Sequence, residues 1–153
     1  PDIHEIKVPG IDAFSVPCDS SFAGPGWTVI QRRMDGSVDF NRNWTEYREG
    51  FGDLRGEFFI GLEKLHRITK SQAYELYIYL KWFDRDEDGY AKYDNFLIGN
   101  ETELYELKAL GKYRGHYGDA LERHKYMKFS TPDRGGCAET FKSGWWFHDC
   151  YHW

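Results

Sequence analysis

The chain has 153 residues, 41% hydrophobic and 18% aromatic, with a net charge of −5. That composition folds into one domain with a sizeable core, and excludes a disordered chain. No Lys/Arg run marks a nucleic-acid partner, and no apolar stretch is long enough for membrane insertion. Six Trp, eleven Tyr and eleven Phe fit an aromatic core better than a carbohydrate-binding surface. Pro1 is not a natural initiator, so a processed product or a piece of a longer protein is expected, truncated at both ends.

Residues 1–18 read as extended structure, with Ile3, Ile6 and Val8, then Phe14, Val16 and Cys18, around a turn at Pro9-Gly10. Trp27, Val29 and Ile30 give a β-rich run that ends in the turn Asp35-Gly36, with positive φ at the glycine. Asp39 or Asn41 is the expected cap of a short helix carrying Trp44 and Tyr47, which Gly50 ends. Phe58, Leu62, Leu65 and Ile68 predict a helix over 57–69. Strands are predicted over 74–83, 90–98 and 104–110, joined as an antiparallel meander. A short helical segment follows around Asp119 to Arg123, and the chain from 126 onward reads as loop-rich.

Several clusters carry candidate chemistry. Asp84-Arg85-Asp86-Glu87-Asp88-Gly89 matches the first half of an EF-hand loop. The twelfth position is Asn95, where calcium needs a bidentate Glu, and the flanks read as strands; a charged hairpin loop fits better. His148, Cys150 and His152 alternate and could join Cys137 around zinc, but no C-x-x-C or H-x-x-x-H pair supports that geometry. No motif sets a His and an orienting carboxylate beside a cysteine, so no enzyme is predicted. The cysteines number three, Cys18, Cys137 and Cys150, which leaves a missing partner or a free thiol. Two N-x-[ST] sequons occur, Asn43-Trp44-Thr45 and Asn100-Glu101-Thr102. Asn100 sits in a polar loop and could carry sugar; Asn43 is expected to be partly buried and bare.

One run is more specific than any of these. Gly26-Trp27-Thr28-Val29-Ile30-Gln31-Arg32-Arg33-Met34-Asp35-Gly36-Ser37-Val38-Asp39-Phe40 continues through Asn43-Trp44, Tyr47, Gly50-Phe51-Gly52 and Gly56-Glu57-Phe58. Later come Gly61-Leu62-Glu63-Lys64-Leu65-His66, Tyr93-Asp94-Asn95-Phe96, Gly118-Asp119-Ala120-Leu121, Phe129-Ser130-Thr131 and Gly144-Trp145-Trp146-Phe147. Together these resemble fibrinogen-related domains, of the ficolin, tachylectin and invertebrate fibrinogen-related type.

The resemblance implies an α+β fold with a central twisted antiparallel sheet, short flanking helices and a loop-rich C-terminal ligand lobe, incomplete here. It divides the chain into an N-terminal remnant at 1–18, a central subdomain at 19–110 and a partial ligand-binding subdomain at 111–153. It implies a Cys137–Cys150 disulfide, and for Cys18 a partner lying before Pro1. It implies a calcium loop beginning at Asp133, although Gly135 stands where a second Asp is usual and the loop is short. It also implies a ligand pocket around Phe141, Trp145, Trp146, Asp149, Cys150 and Tyr151, with a cis Asp149–Cys150 peptide aiming the amides of Cys150 and Tyr151 at an acetyl oxygen. At least one of Trp145 and Trp146 is expected to fill the core instead. The function implied is a secreted, non-enzymatic recognition module for acetylated glycans or a microbial surface, in innate immunity. Such a module gains strength as a homo-oligomer. The alternative is a protein-binding module that grips a peptide or receptor.

Overall fold

Strands β1 (Asp2–Ile6) and β2 (Phe14–Asp19) form the first antiparallel pair, with His4 opposite Val16, in a computed structural model that describes residues 2–150. β3 (Trp27–Thr28) extends the pair, with Thr28 opposite Cys18. β4 (Gln31–Arg32) and β5 (Phe51–Gly52) flank β6 (Phe58–Phe59) in a second sheet. Val29 N–H to the Pro17 carbonyl extends the β2–β3 pairing and Ile60 N–H to the Ile30 carbonyl extends the β4–β6 pairing, both 2.9 Å, so residues 27–32 run directly from the first sheet into the second.

The Asp35-Gly36 turn has Gly36 at φ 76°. It is held by one side chain from across the sheet. The Glu57 carboxylate accepts the backbone N–H groups of Met34, Asp35 and Gly36 on Oε2 and of Val38 on Oε1, at 2.6–3.0 Å. Glu57 is only 2% exposed. The amides of Met34 and Val38 chiefly, joined by the other two, outweigh desolvation and hold its carboxyl at about 2.

Helix α1 (Trp44–Glu49) is capped by Asn43, not by Asp39 or Asn41. Asn43 accepts Glu46 N–H while the Glu46 carboxylate returns to Asn43 N–H, a complete capping box. Asp39 is spent one turn earlier, accepting Asn41 N–H at 2.8 Å. Helix α2 (Leu62–Ser71) starts five residues later than the predicted bound at 57. Phe58 and Phe59 are drawn into β6, and Gly61 lies at φ 106°, which a helix cannot use. A Cβ on Gly61 would come within 2.7 Å of the Glu49 backbone, and one on Gly50 within 2.4 Å of the Ile60 carbonyl oxygen. These two glycines let the end of α1 touch the start of α2, backbone to backbone.

β7 (Leu76–Lys81) and β8 (Asp88–Tyr93) make the long hairpin, with Tyr79 opposite Tyr90. The acidic run therefore forms the hairpin loop. β9 (Leu97–Ile98) pairs antiparallel with β10 (Leu107–Ala109). β11 (Tyr113–Gly115) takes the other side of β8, with Tyr113 opposite Tyr93. The predicted meander of 74–83, 90–98 and 104–110 is therefore present in its pairing order, with 90–98 divided into β8 and β9 and the third run carried on into β11. Asp94 N–H and Asn95 N–H bond the carbonyls of Lys112 and Leu110, which links the β8–β11 and β9–β10 pairings, while Phe96 N–H turns to the Tyr74 carbonyl. The fold is α+β, with its described strands in four antiparallel sheets and short helices beside them. A 3-10 turn at Glu122–His124 stands slightly beyond the predicted 119–123 segment.

Most of the aromatic excess is core. Tyr47, Phe58, Phe59, Tyr93, Phe96, Tyr105, Phe129 and Trp146 are buried with Leu62, Leu65, Ile98 and Leu107. Tyr47 is its bolt: its hydroxyl donates to the Phe40 carbonyl at 2.6 Å and accepts Gly144 N–H at 2.9 Å, joining α1 to the C-terminal lobe.

Candidate functional site

The C-terminal lobe is a loop pinched at its base. Ser130 and Trp145 exchange backbone hydrogen bonds of 2.9 and 3.1 Å. Between them run a 3-10 turn (Pro132–Arg134) and helix α3 (Gly136–Phe141), which ends at Lys142 in the left-handed region, φ 55°. Cys137 and Phe141 are four residues apart, so α3 presents both on one face. The returning segment meets them. Cys150 joins Cys137 in a disulfide, and Phe147 stacks on Phe141 with ring centroids 6.1 Å apart. Closing a loop of this length contributes about 3 kcal/mol in the chain-entropy account. The result is a half-buried aromatic pair beside a covalent staple, with Asp149 exposed at its edge.

The pocket residues read from the sequence divide at this point. Phe141, Asp149 and Cys150 do come together. Tyr151 and His152 lie outside the described residues. Trp146 is a correction: it is 5% exposed, its indole N–H donates to the Tyr105 carbonyl at 2.8 Å, and it packs edge-on against Phe129. Trp146 therefore fills the core and forms no wall. Trp145, half-buried, packs against it at 5.1 Å. The fully buried His124 donates its Nδ1–H to the Trp146 carbonyl at 2.8 Å, fixing the segment that follows the Ser130–Trp145 bridge. Phe147 is the member that sequence reasoning missed; its signal was an aromatic three residues before Cys150.

A second correction concerns the peptide before Cys150. No cis bond occurs among the described residues, so Asp149–Cys150 is trans. Trans is the ordinary state of a non-proline peptide, favoured by about 3 kcal/mol. The disulfide and the Phe141–Phe147 contact are both made without departing from it. The amide geometry inferred for an acetyl oxygen requires the cis form and is not built at this bond.

Asp133 faces inward to the scaffold. Its Oδ1 accepts Trp44 N–H at 3.0 Å and the Thr131 hydroxyl at 2.6 Å, tying the lobe to the first turn of α1. Desolvation opposes ionisation there, but those two hydrogen bonds prevail and hold the carboxyl below its usual range. The next residue, Arg134, lays its guanidinium 3.9 Å from the Trp44 ring centroid. The Trp44 indole N–H donates to Glu101 at 3.0 Å, which is also paired with Arg48. The residues present do not fit a calcium cage: one carboxylate already spent on two donors, a cation beside it, and Gly135 after it. Among the described residues no group of three or more His, Cys, Asp or Glu is placed to hold a metal ion. Cys18 on β2 is a free thiol, half-buried.

Both sequons prove to be helix caps. Asn43 is exposed, contrary to the expectation of partial burial. Asn100, also exposed, caps a 3-10 turn (Glu101–Glu103) through the same reciprocal bonds, with Glu103 in the place of Glu46. In each capping box the asparagine oxygen accepts the bond, which leaves the amide nitrogen available. We propose that Asn100 carries sugar. Asn100→Asp keeps the cap acceptor and removes the sequon. It is expected to lose the mass of one glycan from protein secreted by mammalian cells while its melting temperature stays unchanged. Asn100→Ala is expected to lose the glycan and cost about 1 kcal/mol. An unchanged mass in both would show the site bare.

Residues 3–153 match the family described as the C-terminal globular domain of fibrinogen beta and gamma chains. Human fibrinogen-like protein 1 is 45% identical over 158 residues, covering 90% of this chain and 50% of that protein. The fibrinogen-like globe domain of human ANGPTL6 superposes with a TM-score of 0.90 at 40% identity, covering 96% of this chain and 68% of that one. Lamprey fibrin D-dimer, solved with the peptide ligand Gly-His-Arg-Pro-amide, superposes with a TM-score of 0.84 at 40% identity, covering 91% of this chain and 50% of that one. The chain spans from about a tenth to half of the length of the curated relatives it matches. With nearly all of its length accounted for by one family and by solved members of the same fold, this chain belongs to the fibrinogen C-terminal domain family.

Proposed function

We propose that this chain is an extracellular, non-enzymatic binding module whose ligand is a protein or peptide, held against the Phe141–Phe147 face beside the disulfide. The observation that carries this reading is a relative of 40% identity solved with a bound basic peptide. The local chemistry is compatible with such a ligand: an aromatic pair offers apolar contact, and exposed Asp149 offers a carboxylate to a cation. A disulfide suits an oxidising, extracellular setting. The lectin reading of the ficolin type ranks second, because its pocket relied on Trp146 as a wall and on a cis peptide before Cys150. Asp133 acts in this reading as a brace between the lobe and α1, not as a calcium ligand. Presentation of several copies would strengthen either kind of binding by avidity.

The test sets the two ligand classes against each other. Phage-displayed heptapeptides, with Gly-His-Arg-Pro-amide as a defined comparison, are selected on the immobilised chain. N-acetylglucosamine beads are offered in parallel. The expected result is selection of peptides that bind at least tenfold more weakly to Phe141→Ala and Phe147→Ala, with no retention on the beads. Retention on beads that free acetate releases, with no peptide selected, would restore the lectin reading and overturn this one.

A further inference from the structure

Asp35-Gly36 carries a reactive peptide as well as a turn. In an Asp-Gly pair the glycine nitrogen can reach the preceding side-chain carboxyl, because no side chain on glycine shields it. The chemistry is a spontaneous rearrangement. The Gly36 nitrogen loses its proton and bonds to Asp35 Cγ. One Cγ–O bond breaks and the oxygen leaves as water. The product is a five-membered imide. Water then adds at the main-chain carbonyl of Asp35 and breaks its bond to nitrogen. That leaves isoaspartate, with the backbone running through Cβ and Cγ. Nothing is oxidised or reduced, and the water released in the first step is taken up again in the second.

Two sets of bonds oppose the first step in this fold. Gly36 N–H donates to Glu57 Oε2 at 3.0 Å, so the proton that must leave lies against a full negative charge. A carboxylate in that place favours the neutral amide over its anion. Met34 and Asp35 donate to the same oxygen and Val38 to the other, at 2.6–3.0 Å. The 35–36 peptide therefore cannot swing its nitrogen toward Cγ without giving up bonds to a charged acceptor. Asp35 is held as well. Its Oδ1 accepts Ser37 N–H at 3.0 Å, which turns the carboxyl toward residue 37. The chain's other Asp-Gly is built differently. Asp88-Gly89 lies on β8, with Gly89 opposite Leu80 in the strand ladder and the Asp88 carboxylate accepting the Tyr79 hydroxyl.

We propose that Asp35-Gly36 is a latent isoaspartate-forming site, and that the ionised Glu57 side chain keeps it closed. The arrangement works in both directions. While the amides converge on Glu57, the ring does not form. Once isoaspartate has formed, its extra backbone atom moves the Gly36 and Val38 amides out of register with the carboxylate, and the turn cannot be refastened. The site shares no residue with the Phe141–Phe147 face, so it stands or falls separately from the ligand reading.

The test holds the whole chain near neutral pH at body temperature for weeks. Isoaspartate at each Asp-Gly is read by enzymatic methylation and mass spectrometry of digests. The free peptide acetyl-Arg-Met-Asp-Gly-Ser-Val-amide sets the unprotected rate. The parent chain is expected to form isoaspartate at Asp35 roughly tenfold or more slowly than the peptide, the factor a hydrogen bond to a charged acceptor supplies. Glu57→Gln is expected to recover most of that factor at Asp35 and to leave the rate at Asp88 unchanged. Tyr47→Phe, which loosens the core without touching this turn, is expected to leave Asp35 as slow as in the parent. A parent chain as fast as the peptide would overturn the proposal, whatever the variants do. So would an unchanged Asp35 rate in folded Glu57→Gln. Acceleration at Asp35 by Tyr47→Phe as large as by Glu57→Gln would also overturn it, and would assign the protection to the fold as a whole.

Discussion

Glu57→Gln is expected to unfasten the 34–38 turn and to lower the melting temperature more than any other single carboxylate substitution in this chain. One carboxylate accepts four backbone N–H groups from a turn that has little other support. Glutamine keeps the shape but can turn only one acceptor oxygen toward them. Its amide would face Val38 N–H, donor against donor, and leave a buried polar group unsatisfied. The amides of Met34, Asp35, Gly36 and Val38 should exchange with solvent on the order of 100-fold faster, while those of α2 change little. The same site sets an acid limb. The carboxyl falls from 4.5 to about 2 on folding. The unfolded chain therefore takes up a proton at a pH where the folded chain does not. The stability from this group is complete above the unfolded value and is lost as pH falls from about 4.5 toward 2. Asp133 and Glu101, also held below their usual ranges, act in the same direction. Urea midpoints measured from pH 6 to pH 2 should fall less steeply in Glu57→Gln than in the parent. Parallel curves would show that the turn does not depend on the ionised carboxylate.

Tyr47→Phe is expected to cost about 1–3 kcal/mol, although it removes a single oxygen. The hydroxyl joins the Phe40 carbonyl to the Gly144 amide, and both partners would remain buried without it. Tyr47→Ala should cost about 3–5 kcal/mol, since the ring also packs among Phe51, Phe59 and Phe129. In a chain of this size each kcal/mol lowers the midpoint by roughly 2–4 °C. The distinguishing readout is local. Losing the hydroxyl releases the segment after α3, so the Gly144 amide should exchange faster and the Phe141–Phe147 face should bind more weakly, even where the core is still folded. Gly144→Ala attacks the same junction from the other side, because its Cβ would lie within 2.9 Å of the Tyr47 and Phe129 rings. A Tyr47→Phe variant with unchanged stability and unchanged Gly144 exchange would show that the bolt carries no load.

Much of the fold was legible in local pattern. The Asp35-Gly36 turn, the short Trp44–Tyr47 helix, the helical spacing of Leu62, Leu65 and Ile68, and the hairpin around the acidic run are each written within about ten residues, where propensity and period decide. The clustering of family motifs identified the fold class, because many weak local matches in one order leave few architectures. The order of the hairpin strands was legible, but the break within 90–98 was not. Nothing local says that β8 and β9 are separate strands, and that is decided by Asn95 bonding Leu110 while Phe96 bonds Tyr74. Nor did the carboxylates announce their roles. Glu57 reads as an ordinary charged residue until the turn from 34 to 38 is folded over it, and Asp133 reads as a calcium ligand until Trp44, 89 positions away, offers it an amide. The candidate site divided along the same line. Cys137, Phe141, Asp149 and Cys150 were expected from the family resemblance alone, and the disulfide and the Phe141–Phe147 stack then bring them to one place. Trp146 was misplaced because an aromatic side chain suits a core and a pocket wall equally, and only the packing of Phe129, Phe96 and Tyr105 around it decides between them. Composition, period and motif thus determined the class of fold and the region of the site. The identity of each wall, cap and brace was decided by tertiary structure, because hydrogen bonds and buried contacts join residues whose separation in sequence carries no information.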